Sequence, residues 1–228
     1  MRPSHQQTGI RVTTISSQPA ASTLPLQSGI CQYVARVWCG QPLVHGAFSQ
    51  TKKPTYQLIA HDKDVFDLSW VPGDPNTFGT VGADGSLRTF DLRSLEHSTI
   101  MYESPNLEPI IRLEWNVKDS NYCAMTLLNQ PATIILDIRY PTKPMVELGS
   151  HVAAANGCVW APQSAAHCLT ISDDNQALIW DLSNLPGNVG DPILAYTAKG
   201  EVNTVQWGSA NPSWVGITFS DCLQLLRV

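Results

Sequence analysis

Tryptophan recurs at Trp70, Trp115, Trp160 and Trp207, and the spacings of 45, 45 and 47 residues hold nearly to one period. Each closes a short run: VFDLSW, IIRLEW, ANGCVW and VNTVQW. A second marker follows at Phe90, Leu136, Trp180 and Leu226, spaced 46, 44 and 46, and in the first three units an Asp comes next. Two independent markers keeping one period make residues 57–228 an array of four similar units. Each unit must then be one supersecondary element that buries its faces against its neighbours.

Within each period the pattern is β. Val65, Asp67 and Ser69 alternate with Phe66, Leu68 and Trp70, and ATIILDI and QALIWDL are short β-rich runs. PGDPN, ADGS, DDNQ and GNVGDP supply turns, and no long helical stripe lies between breakers. Units of this length ending in Trp-Asp are the mark of a propeller blade, whose four strands cannot cover both faces alone. The expected fold is all-β: a partial β-propeller of about four blades near 58–98, 99–145, 146–192 and 193–228. The strand-locked period makes core residues of all four tryptophans.

Residues 1–56 read differently. TTISSQPAASTLPLQSG is rich in Ser, Thr, Gln and Pro and holds no period, so this segment is expected to be a disordered or weakly structured extension. It also resembles a mitochondrial transit peptide in composition, but lacks the amphipathic period. The chain's net charge of −5 hides an asymmetry, because residues 1–57 contain no Asp or Glu and the remainder carries 9 basic against 19 acidic residues. An acidic body of that kind argues against direct nucleic-acid binding. No apolar run is long enough for a membrane helix. The six cysteines are scattered without a C-x-x-C pair, consistent with buried reduced thiols and a cytoplasmic or nuclear setting.

The stretch TVGADGSLRTFDLR poses the main question of chemistry. Asp84 sits among small residues, as in a cation loop, but the region lacks the further acids a hard cation needs. Asp174 occupies the same turn two units later, so hydrogen bonding to His61 and His151 explains both acids better. No nucleophile elbow or phosphate loop occurs, and Asp173-Asp174 reads as a solvated turn pair. His97 reads as a surface loop residue. The expectation is a non-catalytic chain with no cofactor and no metal.

The runs LIAHDKDVFDLSW, VGADGSLRTFDLRSLEHSTIMYESP, DDNQALIWDL and the ending LQLLRV resemble the WD-repeat family. They are most similar to the branch of plant transparent-testa-glabra and anthocyanin-regulating proteins and their animal relatives associated with dual-specificity kinases. The resemblance covers about 57–228 and implies the C-terminal half of a seven-bladed propeller. It implies a network of His61, Thr80, Asp84 and Phe90 in the first unit, cut short because Phe90 has no indole N–H. In the third unit His151, Thr170, Asp174 and Trp180 match fully. Gln130 replaces the Asp in the second unit, and neither second nor fourth has the His. FDLR and LDIR resemble the W-D-x-R box by which some WD-repeat proteins dock onto cullin-4 RING ubiquitin ligases. That marks Asp91, Arg93, Asp137 and Arg139 as partner-binding candidates, each pair placed on one side of a strand; an intrablade salt bridge is the alternative. The implied function is a scaffold for protein kinases, transcription regulators or a cullin-RING ligase adaptor. The competing expectation is a truncated, non-functional or dominant-negative half-propeller fragment whose open edges invite self-association.

Overall fold

The structure, a computed structural model, describes residues 33–36, 43–47, 56–187 and 189–228. All regular secondary structure among them is β. Strands β1 (Tyr33–Arg36), β2 (Leu43–Ala47) and β3 (Tyr56–Leu58) pair antiparallel in a three-stranded sheet. The rest of the expected N-terminal extension lies outside the described residues.

The first blade consists of β4 (Val65–Trp70), β5 (Thr77–Gly82), β6 (Ser86–Asp91) and β7 (Ser94–Glu103), paired in sequence order. The second is β8 (Ile110–Trp115), β9 (Tyr122–Leu127), β10 (Thr133–Asp137) and β11 (Val146–Leu148). The third is β12 (Ala155–Trp160), β13 (His167–Ser172), β14 (Gln176–Asp181) and β15 (Leu194–Thr197). The last has three strands, β16 (Val202–Trp207), β17 (Trp214–Phe219) and β18 (Cys222–Arg227). The sheets are offset from the sequence units: β7 straddles the 98/99 limit, while β11 and β15 fall within the units that follow their sheets. Each outermost strand runs on into the next blade's innermost one, so a unit cut at its apolar markers does not coincide with a sheet.

Apolar clusters lie between consecutive blades. Val81 and Leu87 of the first meet Leu113 and Trp115 of the second. Ala124 and Ile135 meet Trp160 and Trp180, and Leu169 and Ile171 meet Trp207 and Ile217. Burial of this much branched and aromatic surface supplies the main stabilisation, at about 25 cal/mol per Å². Gly79 permits the first of these contacts, since a Cβ there would stand 2.9 Å from the Leu113 side chain and 3.2 Å from Trp115.

Of the four tryptophans that mark the period, three are deeply buried: Trp115 at 1% exposure, Trp160 at 2% and Trp207 at 5%. Trp70 is half-buried and packs at the margin of the first blade's core, its ring 5.1 Å from that of Phe78. Two indoles also join blades. Trp115 Nε1 donates to the Ser69 carbonyl and Trp160 Nε1 to the Glu114 carbonyl, each at 3.2 Å. Trp207 Nε1 instead donates to Pro212 O of its own blade at 2.7 Å.

Every innermost strand shifts register at the same place: between Val65 and Asp67, Ile110 and Arg112, Ala155 and Gly157, and Val202 and Thr204. Phe66, Ile111, Asn156 and Asn203, each four residues before its tryptophan, are thus the extra residues of four equivalent bulges. This breaks the strict alternation expected for VFDLSW, in which only Val65 is buried.

Candidate protein-interaction surface

The third blade shows why its turn residues recur. Trp180 Nε1 donates to Thr170 Oγ1 at 2.9 Å, and Thr170 Oγ1 lies 2.8 Å from His151 Nε2. An indole can only donate and an ionised carboxylate can only accept, so Trp180 donates to the hydroxyl and the His151 Nδ1–H to Asp174, and Nε2 of the neutral ring is left to accept from the Thr170 hydroxyl. His151 then carries its proton on Nδ1 and donates to Asp174 Oδ2 at 2.9 Å. Asp174 also accepts from the Val152 and Gln176 N–H groups. Burial opposes its charge, yet these donors outweigh it and hold the carboxyl below the usual carboxylate range. The relay ties the interior of the blade to both ends of its outer turn.

In the first blade the same geometry stops one step earlier. His61 Nδ1 lies 2.9 Å from Asp84 Oδ1, and His61 Nε2 lies 2.8 Å from Thr80 Oγ1. Phe90 supplies no donor and stacks on Phe78 with centroids 5.4 Å apart. Cys168 stands where Phe78 does, so a second phenyl ring occupies the room that the Trp180 indole takes in the third blade. Two partners were not legible in sequence: Ser86 Oγ donates to Asp84 at 2.9 Å, and Arg88 bridges Asp84 and Asp62. Burial pushes the His61 imidazole below its ordinary value, against the pull of Asp84. Gly85, at φ +75, makes the turn possible, since a Cβ there would lie 2.7 Å from the Leu107 backbone.

The second blade lacks this network. Gln130 Nε2 makes one long contact of 3.4 Å to Glu108, and the cross-strand pair Thr126 and Thr133 buries two hydroxyls without a hydrogen-bond partner. Apolar packing carries this blade. Links between blades compensate: Asp67 Oδ2 accepts from Leu113 N at 3.0 Å, and Asn116 Nδ2 donates to Ala165 O at 2.8 Å.

The partner-binding candidates sit at the other end of the blades. Asp91 ends β6 and Asp137 ends β10, but Arg93 and Arg139 lie in the following turns, not on a strand as expected. Each carboxylate accepts the arginine's backbone N–H at 2.9 Å, and this curls the chain so that the guanidinium returns to the same carboxylate. Arg93 Nη2 and Arg139 Nη2 each lie 2.6 Å from their Asp, with Nε completing a two-pronged pair. The salt bridge is therefore present in both blades. The guanidiniums remain outward, with 65% and 51% of their side chains exposed, at equivalent turns of adjacent blades. The two carboxylates differ: the Asp91 side chain is 36% exposed and that of Asp137 only 2%. Arg139 also donates to the Tyr122 hydroxyl at 3.1 Å and lies over its ring. A fixed fork of this kind still presents its Nη1 edge to an incoming acceptor.

Among the described residues no cluster of three or more His, Cys, Asp or Glu could hold a metal ion. Burial pushes the Cys123 and Cys168 thiols well above their ordinary value, while Cys222 is exposed; Cys31 and Cys39 lie outside the described residues. His97 lies on β7, exposed.

Stacked blades of one period, three of them ending in Phe-Asp, Leu-Asp or Trp-Asp and two fastened by His–Asp–Thr turns, are the architecture of WD-repeat proteins, and the chain is similar to members of that class. No protein-family model matches it. Within the class it is similar to the DDB1- and CUL4-associated factor 7 homolog of Dictyostelium discoideum, at 52% identity over 78% of this chain and 55% of that protein. A WD repeat-containing protein of Saccharomyces cerevisiae is 38% identical over 56% of this chain and 28% of its own length. One from Schizosaccharomyces pombe is 29% identical over 75% of the chain and 53% of its own. The chain spans about half the length, or less, of these curated relatives.

Proposed function

We propose that this chain is a non-catalytic scaffold that docks on the adaptor of a cullin-4 RING ubiquitin ligase through Arg93 and Arg139. The observation that carries this reading is the recurrence of one outward, carboxylate-fixed guanidinium at the same turn of two adjacent blades. Its support from outside is the similarity to a factor named for DDB1 and CUL4. Protein kinases and transcription regulators are further partners in this proposal, in the cytoplasm and nucleus. The mechanism is concentration: partners held on one rigid body meet at a raised effective concentration.

Co-purification with the adaptor tests it. Arg93→Ala leaves an exposed carboxylate in water, but Arg139→Ala would strand the buried Asp137 and confuse lost docking with lost folding. The test variant is therefore Arg93→Ala with Asp137→Asn and Arg139→Gln, which keeps an amide pair in place of the ion pair. Loss of co-purification at an unchanged melting temperature is expected. Retained co-purification sinks the assignment.

A further inference from the structure

Of the four blades, the last alone ends at its third strand among the described residues, and the ladder of β17 and β18 fixes which residues of β18 face outward. Val228 N donates to Ser213 O at 2.9 Å, which makes these two a hydrogen-bonded pair of an antiparallel ladder. Such pairs alternate along the strand. Leu226, Gln224 and Cys222 therefore bond to β17, and Arg227, Leu225 and Leu223 turn their N–H and C=O groups to the outer edge. The preceding blades show what that edge does. Ile135 and Ile179 stand where Leu225 does, one residue before the second marker of their units. Their carbonyls accept from Met145 N and Ile193 N, in the segments that lead into β11 and β15, each at 2.8 Å.

The side chains along this edge are of two kinds. Leu223 and Leu225 lie on one face of β18, and both are largely exposed. In the first blade the place of Leu223 is held by Leu87, which is fully buried against the second blade. Asp221, in the turn just before β18, and Arg227, at its end, flank the leucines. Both are exposed, and neither makes an ion pair among the described residues. An acid at one end and a base at the other make a strand complementary to its own antiparallel copy.

We propose that β18 pairs antiparallel with β18 of a second copy of this chain, about a two-fold axis through Gln224. In that register Leu223 of each copy stands opposite Leu225 of the other, and both already turn their backbone groups outward, as a hydrogen-bonded pair requires. Asp221 meets Arg227 of the other copy, twice across the axis, and the four leucines lie side by side on one face. A shift of two residues keeps the hydrogen bonds but sets Asp221 opposite Leu225, or Leu223 opposite Arg227. Charge therefore selects the register. The two three-stranded blades become one continuous sheet, and because both copies use the same edge the assembly closes at two.

Sedimentation velocity of the full chain over a range of concentrations tests this, with a monomer–dimer equilibrium expected. Asp221→Arg alone and Arg227→Asp alone each set like charges opposite one another, and each should weaken the dimer about tenfold or more. Mixed in equal amounts, the two variants should pair with each other, because each supplies the charge the other lacks. The chain carrying both changes should dimerise like the wild type, a rescue that a merely structural role would not give. Thermal melting at concentrations where the chain is monomeric should be the same for all, since both side chains are exposed. A chain monomeric at every concentration, a dimer indifferent to both charges, a double variant that stays weak, or growth beyond two copies overturns the proposal. Ligase docking is a separate question, because Arg93 and Arg139 lie on the first two blades.

Discussion

Replacing Thr170 with valine removes one hydroxyl from the third blade and leaves the volume of the side chain nearly unchanged. Thr170 is fully buried, as are its partners, with Trp180 at 2% exposure and His151 at 4%. The valine would orphan the Trp180 N–H, which lost its acceptor at 2.9 Å, and His151 Nε2, which lost its donor at 2.8 Å. Each buried group left unsatisfied costs about 1–3 kcal/mol, so Thr170→Val should destabilise by about 2–5 kcal/mol. Thr80→Val in the first blade is the internal control. Thr80 is equally buried and equally close to its histidine, but Phe90 gives no indole to orphan. Its cost should be about 1–3 kcal/mol, less than that of Thr170→Val by about 1–2 kcal/mol. Urea titration followed by circular dichroism measures both, as a shift of midpoint at constant slope. Adding Trp180→Phe to Thr170→Val removes the stranded donor, and the double-mutant cycle should return a favourable coupling of about 1 kcal/mol. Equal destabilisation by Thr170→Val and Thr80→Val, within about 0.3 kcal/mol, would refute the dependence of the Trp180 indole on the Thr170 hydroxyl.

The buried hydroxyls of the second blade point the other way: Thr126→Val with Thr133→Val should stabilise by about 1–2 kcal/mol, read as a higher urea midpoint, and a lower midpoint would mean that those hydroxyls have partners. Burial first, and then the charge of Asp67, pushes the Glu114 carboxyl up to about 7. The raised value means that the folded state holds this proton more tightly than the unfolded chain. Its stability contribution is therefore lost as pH rises from the ordinary value near 4.5 through 7. Glu114→Gln should match the wild type near pH 4.5 and exceed it by on the order of 2 kcal/mol at pH 8; a constant difference across that range would refute this. His61 acts in the opposite sense, since its lowered value makes its contribution fall away as pH drops below 6.5. Finally, β18 has no fourth strand beside it among the described residues, and Leu223 and Leu225 are 70% and 62% exposed. Leu223→Glu with Leu225→Glu should reduce self-association in sedimentation velocity without lowering the melting temperature, whereas an unchanged distribution places the contact elsewhere.

The period of the tryptophans and the small set of turn residues determined the class of fold and the number of blades, because a repeat too small to bury its own faces must stack. The resemblance to the WD-repeat family, with an acid recurring at the same turn of two units, paired His61 with Asp84 and His151 with Asp174, and both pairs are made. What stayed hidden depends on pairs that no local pattern announces. The bulges follow from register between strands, so Phe66, Ile111, Asn156 and Asn203 looked like ordinary strand residues although each stands four before its tryptophan. The indole links to Ser69 and Glu114 span 46 residues and depend on how one blade leans on the next. The sequence pattern shows Asp91 and Asp137 as equivalents, yet in the fold the Asp91 side chain is 36% exposed beside Thr77, whereas that of Asp137 is 2% exposed beside Tyr122, whose ring and hydroxyl also hold Arg139. Sequence by itself set the repeating unit and its internal bonds, which are local and short-ranged; tertiary structure decided what each copy buries, exposes and aims inward, because those properties belong to the contact between blades.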